Sequence, residues 1–278
     1  MTLVAHLSDL HFGRIDPAIP PALIAALDAA RPDLVVVSGD LTQRARKSEF
    51  RDAARFLAGL PHPQIIVPGN HDVPLHNLAA RWLTPLTRYR RYVSGDLEPF
   101  YDDAEIAVLG VNTARAGTFK NGRINAGQIS RGCARFSASA AGAVRIVVTH
   151  HPFDPPGAGG AADVVGRAGA AMAAFAASNV DLILSGHLHG SAAGDSVARY
   201  GAAGRSILLV QAGTATSTRR RSEDNSFNYL RIAAGGVGVD CMSWDGAGKR
   251  FILSRADRFC RAGDAWRRQS QGGGGSAT

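Results

Sequence analysis

Five apolar runs stop abruptly at polar clusters, and this repeated junction is what most restricts how the chain can fold. Leu3 to Leu7 precedes Asp9 and His11, Leu34 to Val37 precedes Asp40, and Ile65 to Val67 precedes Asn70 and His71. Val144 to Thr149 leads into His150 and His151, and Asn179 to Leu184 into His187 and His189. Short, β-branched runs bounded by turn residues read as buried strands. In layered α/β proteins the carboxyl ends of neighbouring strands share one rim, so residues as distant as Asp9 and His189 can meet in one pocket.

The intervals carry helical periodicity. Leu23, Ile24, Leu27 and Ala30 mark one helix face, and Phe50, Ala53, Ala54 and Leu57 another. Ala126 to Phe136 and Val164 to Ala177 read as further helices, and Ile106 to Val111 as a strand ending at Asn112. Val73 to Tyr92, a mixture of aromatics, arginines and prolines, gives no clear period. After His189 the pattern changes to consecutive short strands at Val197 to Tyr200, Ser206 to Val210, Tyr229 to Ala233, Val237 to Met242 and Arg250 to Ser254. Alternating strands and helices followed by strands alone predict an α/β protein. The expected arrangement is a four-layer α-β-β-α sandwich with two mixed sheets and the polar clusters at the strand C-terminal rim. No composition break divides residues 1–268, which read as a single domain, while 269–278 lack an apolar anchor and read as a flexible tail.

A chain of 278 residues with 45% hydrophobic residues can build a core without a structural metal or disulfide. Any metal would serve chemistry. Cys133, Cys241 and Cys260 are odd in number and lack C-x-x-C spacing, which suggests reduced thiols and a cytoplasmic setting. Asp9 and His11 interrupt the apolar start that a signal peptide would need, and no run of 18 apolar residues suggests a transmembrane segment. The net charge of +8 comes almost wholly from arginine. It favours anionic partners in general but selects none, because the basic runs are dispersed.

Six of the nine histidines lie in the five clusters. Carboxylate oxygen and neutral imidazole nitrogen suit divalent first-row metals, and the absence of nearby cysteine argues against a thiolate zinc site. Two cations held about 4 Å apart can polarise a phosphoryl group, lower the pKa of a bridging water and stabilise both oxygens of an in-line displacement. Asp40, central in the order of candidate ligands, is the natural bridge. Gly39, Gly69 and Gly186 precede the ligands or their neighbours, where the missing Cβ permits tight turns.

The series Asp-x-His, Gly-Asp, Gly-Asn-His-Asp, His-His and Gly-His-x-His resembles the calcineurin-like metallophosphoesterase superfamily, in particular its bacterial branch of cyclic-nucleotide phosphodiesterases. The resemblance covers Leu3 to about Leu209. It implies that Asp9, His11, Asp40 and His189 bind a first metal, and that Asp40, Asn70, His150 and His187 bind a second. It also implies that His71 faces substrate and assists the leaving group, with Asp72 as its orienting partner. By the same resemblance Asn112 and Arg14 line the phosphate pocket. His151 follows His150 at a strand end, where adjacent side chains point differently, and is expected to contact substrate or support the site from behind rather than bind metal.

The expected activity is hydrolysis of a small anionic phosphodiester, 3',5'-cyclic AMP or another cyclic nucleotide, with two divalent ions. Mn or Fe is expected, with Zn as the alternative. A nucleotide pyrophosphate, a lipid-linked phosphodiester or nucleic acid is the alternative substrate, and in the lipid case Trp82 to Tyr92 would provide contacts. No stable nucleic-acid partner is expected because no appended binding module is evident, and a homo-oligomer stays open. A scaffold that keeps the fold without activity is the non-enzymatic alternative.

Overall fold

Alternating side chains on the expected strands separate into two apolar layers. In the computed structural model, which describes residues 1–154, 164–196, 200, 205–218, 223–233 and 235–269, strands β1 (Thr2–Leu7) and β2 (Leu34–Val37) show this directly. Val4, Leu34 and Val36 face one cluster, whereas Ala5, Leu7, Val35 and Val37 face another. A period of two buried on both faces is what a central strand between a second sheet and a helix layer requires.

The first layer of helices comprises α1 (Ile19–Ala30) and α2 (Lys47–Ala58). Leu23 and Leu27 of α1 and Phe50, Ala53 and Leu57 of α2 are buried against β1 and β2, and the helical spacing places them on those faces. Buried Glu49 accepts hydrogen bonds from the backbone N–H groups of Arg44 (2.8 Å) and Arg46 (3.1 Å), fastening the entry to α2. β3 (Gln64–Ile66) pairs in parallel with β2.

The ambiguous segment after β3 resolves into two six-residue helices, α3 (Leu78–Leu83) and α4 (Thr87–Tyr92). Asn77 caps α3 by accepting from the Ala80 N–H at 2.9 Å. Pro85 lies between the helices, and the residue before a proline is turned away from helical backbone. Edge strand β4 (Phe100–Asp102) and strand β5 (Ile106–Gly110) lead to α5 (Ala126–Ala138), followed by β6 (Val144–Val148). α6 (Ala168–Ala177) starts later than its alanine pattern suggests, because Arg167 is left-handed at φ 69°.

The chain continues through β7 (Val180–Ser185), β8 (Ala192–Asp195), β9 (Leu208–Gln211), β10 (Ser226–Ala233), β11 (Gly236–Asp245), β12 (Arg250–Ala262) and β13 (Ala265–Arg268). Most of the strand expected at Val197 to Tyr200 lies outside the described residues, as does the tail beyond 269. Strands β4, β8 and β13 escape sequence reading because three or four residues at an edge need no apolar alternation.

Seven strands form one mixed sheet in the order β13-β12-β11-β10-β1-β2-β3, and six form another in the order β4-β5-β6-β7-β9-β8. Val4, Val36, Ile146, Val148, Leu182 and Leu184 meet between them. α5 and α6 cover the far side of the second sheet through Phe136, Ala171 and Phe175. The expected α-β-β-α order is therefore present. Parallel strands β1 and β2 in one sheet and β6 and β7 in the other deliver their carboxyl ends to a common rim. No helix among the described residues is long and apolar enough to cross a membrane.

Leu182→Ala would empty a fully buried position between the sheets, and should cost about 3 kcal/mol in urea unfolding, within the usual range for large-to-small core changes.

Candidate functional site

Backbone conformation first aims the polar side chains inward. Asp9, His11, Asp40, His187 and His189 all have left-handed backbone, with φ of 53°, 51°, 53°, 76° and 62°. That conformation is costly for a residue with a Cβ and persists only where surrounding contacts enforce it. The enforcing contacts run between strand-end loops. The Asp9 N–H donates to the Gly39 carbonyl at 3.1 Å, His11 to Asp40 at 2.9 Å, and Gly186 to His150 at 3.0 Å.

Close approach explains all three glycines, a Cβ at Gly39 falling 2.7 Å from His150 Nδ1. A Cβ at Gly69 would fall 2.1 Å from Asp40 Oδ1, and one at Gly186 would fall 2.6 Å from Asp9 Oδ2. Of the three glycines, only Gly39 also needs positive φ, at 95°. The tight turns expected of all three are therefore carried largely by the ligand residues themselves.

Asp40 is the centre of the cluster. Its Oδ1 accepts the His71 N–H at 2.8 Å and lies 3.3 Å from His150 Nε2, while its Oδ2 lies 3.6 Å from His11 Nε2. Asp9 Oδ1 is 3.4 Å from His11 Nε2 and 3.7 Å from His189 Nε2. Its Oδ2 accepts from the Ser8 hydroxyl at 2.7 Å and the His187 N–H at 2.9 Å. The Ser38 carbonyl, an acceptor only, fixes the proton of His150 on Nδ1 at 2.8 Å. His150 Nε2 then faces Asn70 Oδ1 at 3.1 Å and His187 Nδ1 at 3.3 Å.

Several of these atoms are buried without a hydrogen bond: Asp9 Oδ1, both ring nitrogens of His11, and Nε2 of His151 and His187. Such orphaned donors and acceptors are costly unless something else satisfies them. Four overlapping groups have donor atoms within 4.8 Å of one another: Asp9, His11 and His189; Asp9, Asp40 and His150; His11, Asp40 and His71; and His150, His151 and His187. Their nitrogen and oxygen chemistry, with no sulfur, fits two adjacent first-row divalent ions.

Electrostatics agree with this fit. Burial alone would raise the Asp9 and Asp40 carboxyls, but surrounding imidazoles hold both well below the usual carboxylate range. Burial would lower His150, yet the Asp40 charge outweighs it and carries the imidazole up to about 9. Burial and the neighbouring His150 bring His187 down to about 3. A bound cation would replace the positive charge of His150 and release its proton, as metal ligation requires.

His71 borders an open recess of about 210 Å³ with Arg14, Gln43, Arg44 and Leu75, so Arg14 and His71 do share one space. The expected pairing of Asp72 with the His71 ring is not formed. His71 Nδ1 instead lies 2.8 Å from the Gln43 carbonyl, which fixes the proton there. The Asp72 carboxylate accepts from the N–H groups of Leu41, Thr42 and Gly69 and from the Thr42 hydroxyl. It braces the loops that carry Asp40 and Asn70. Burial and the Asp40 charge raise Asp72 to about 6 despite those hydrogen bonds.

Asn112 turns its Oδ1 back to the Ala114 N–H at 2.9 Å and lines not the His71 recess but a second cavity, with Leu83, Arg90 and Arg115. His151 is drawn further in than its position beside His150 suggests: its ring centroid lies 4.8 Å from that of His187, and its Nδ1 is 2.7 Å from the Thr113 hydroxyl.

Sequence reading missed the supports. Thr214 contacts His189 Nδ1, and the neighbouring Thr216 hydroxyl donates to the Leu10 carbonyl at 2.6 Å. Thr214 follows β9, so the same junction of strand and polar residue could have found it. The Ser38 and Gln43 carbonyls carry no side-chain signal at all.

The calcineurin-like phosphoesterase family model matches residues 2–191, well over half of the chain. The chain belongs to the calcineurin-like phosphoesterase family. Among curated proteins, the glycerophosphodiester phosphodiesterase GpdQ of Enterobacter lignolyticus is 33% identical over 129 residues, covering 42% of this chain. The match spans 46% of that relative, about half of its length. Among solved structures, the yellow lupin purple acid phosphatase PPD1 gives a TM-score of 0.68 at 11% identity, covering 91% of this chain and 52% of that one. A dimetal phosphatase from Danio rerio gives 0.60 at 12% identity, covering 86% and 95%. At such identities these two structures speak to the fold. Within the family match lie all the clusters above, from Asp9 to His189, so this calcineurin-like phosphoesterase holds a His and Asp set suited to a binuclear centre.

Gly69→Ala should drive the Asp40 carboxylate from its place. Elemental analysis should then find most of the bound divalent metal lost while far-UV circular dichroism keeps its native shape.

Proposed function

We propose that the chain is a phosphodiesterase, active as one catalytic domain over 1–268, that hydrolyses a small anionic phosphodiester. Asp9, His11, Asp40 and His189 would hold one ion, and Asp40, Asn70, His150 and His187 the other. The observation that carries this reading is the shared carboxylate of Asp40, flanked by His11 on one oxygen and His150 on the other. Mn or Fe, with Zn as alternative, suits this donor set.

When bound, two such ions supply charge neutralisation at phosphorus and a lowered pKa for water. The protein supplies orientation and a proton. With Nδ1 committed to Gln43, the His71 ring presents Nε2 as the position from which a proton can pass to the departing alcohol oxygen. The recess that His71 shares with Arg14 and Arg44 offers positive charge to the diester.

Two substrate classes follow from different observations. The strand-end motifs resemble cyclic-nucleotide phosphodiesterases, while the curated relative is a glycerophosphodiester phosphodiesterase. Relative kcat/KM of the Mn-loaded enzyme for cyclic AMP, a glycerophosphodiester, a nucleotide pyrophosphate and short DNA separates these readings. A preference for the pyrophosphate or for DNA would overturn the small-diester proposal.

Asp40→Ala should remove bound metal and abolish turnover. His71→Ala should retain most of the metal and lower kcat by about 10²- to 10⁴-fold, the usual contribution of a general acid. Unchanged turnover in the His71 variant would remove it from the mechanism.

A further inference from the structure

Eight large apolar side chains are exposed among the described residues, and five of them, Leu75, Leu78, Trp82, Leu83 and Phe119, gather around α3 and the loop beside it. Trp82 is 60% exposed and Leu83 80%, which is unusual for side chains of this size. The cluster is built rather than frayed. Fully buried Arg81 donates to the carbonyls of Pro74 (3.1 Å), Ala116 (2.8 Å) and Thr118 (3.1 Å), and its guanidinium lies 4.1 Å over the Phe119 ring. The polar residue of α3 is thus turned inward and its apolar neighbours outward, reversing the usual helix pattern.

The two segments that form this collar carry charge of one sign, the nearest acidic groups being Glu98, which acts on Arg115, and Asp72 and Asp96, which act on Tyr89. Between Asp72 and Asp96 the sequence contains Arg81, Arg88, Arg90 and Arg91 and no carboxylate, and residues 113–123 contribute Arg115, Lys120 and Arg123, again with none. The collar also joins the candidate site. Leu75 lines the His71 recess beside Arg14 and Arg44, and Leu83 lines a second cavity of about 380 Å³ beside Arg90 and Arg115. Neither lining contains an acidic residue.

We propose that this collar is an interfacial docking surface for an anionic lipid bilayer, which turns the mouth of the His71 recess toward the membrane. Trp82, Leu83 and Phe119 enter the headgroup region, where an amphipathic indole is favoured, and the exposed Arg88, Arg90 and Arg91 meet lipid phosphates. A second copy of the chain is the less fitting occupant, because pairing two such collars would bring arginines against arginines. Docking goes beyond the phosphodiesterase reading and does not depend on which diester is hydrolysed.

The test is co-sedimentation of the metal-loaded full chain with vesicles of phosphatidylcholine alone and of phosphatidylcholine mixed with phosphatidylglycerol. Binding is expected only to the anionic vesicles and should weaken as salt rises. Trp244 and Trp266 are buried, so a blue shift of tryptophan emission on binding would report Trp82. Arg90→Gln with Arg91→Gln should weaken partitioning about 25-fold, from about fivefold per charge. Trp82→Ser with Leu83→Ser should weaken it about tenfold or more. Both double variants should hydrolyse a small soluble diester at the parental rate, which shows that the fold is intact. Absence of binding to anionic vesicles, equal binding by the active variants, or a dimer that the same substitutions dissolve would each overturn the proposal.

Discussion

The contact between Asp40 and His150 joins the two sheets at their working edge. Asp40 follows β2 of the seven-stranded sheet and His150 follows β6 of the six-stranded sheet. A second tie, from the His187 N–H to Asp9, runs in the same direction between layers. Neither tie can form unless the inter-sheet cluster fixes the spacing and tilt of both sheets. Packing of Val36 against the layer of Ile146 and Leu184 is therefore as much a condition of the site as the ligands themselves. Metal ligation would in turn satisfy donors that apolar packing leaves stranded, so core and site support each other.

The cost of this arrangement is concentrated in the backbone. Five left-handed residues with Cβ atoms would be a poor choice for stability alone, and each replaces a conformation that ordinary turns reach more easily. Hydrogen bonds between the strand-end loops hold them, and Asp72 braces two of those loops from behind. Such a cluster of unfavourable torsions points to a requirement of geometry rather than folding, because the side chains involved are those that converge on one another.

Much of this was legible in the sequence because the strands are short, apolar and each followed at once by unusual residues. Asp9, Asp40 and His150 stand out against Leu7, Val37 and Val148 without any knowledge of neighbours. The alternating strand and helix pattern likewise announced two mixed sheets between helices. What stayed hidden depends on partners that leave no side-chain mark. The proton of His71 is fixed by a carbonyl, which any residue at position 43 could offer, whereas the family resemblance pointed to adjacent Asp72 instead. Asn112 sits where a pocket residue would, yet its oxygen closes a local turn. The apolar collar was illegible for a different reason: Arg81 lies in the interior while Trp82 and Leu83 face outward, against their chemical character.

The central place of β1 in its sheet has a consequence for how the molecule comes to exist. Thr2–Leu7 is flanked by β2, which follows soon after it, and by β10, which comes from the far part of the chain. The Tyr229 hydroxyl bonds the Ala26 carbonyl across 203 residues, and Thr216 reaches Leu10 across 206. During synthesis Asp9, Asp40 and Asn70 emerge long before the strand that completes their sheet and before His187 and His189. An early half-site of this kind has a bare strand edge and carboxylates with few imidazole neighbours. Folding dominated by such distant closures is slow, and the nascent chain must be kept from pairing elsewhere while it waits for its own later strands.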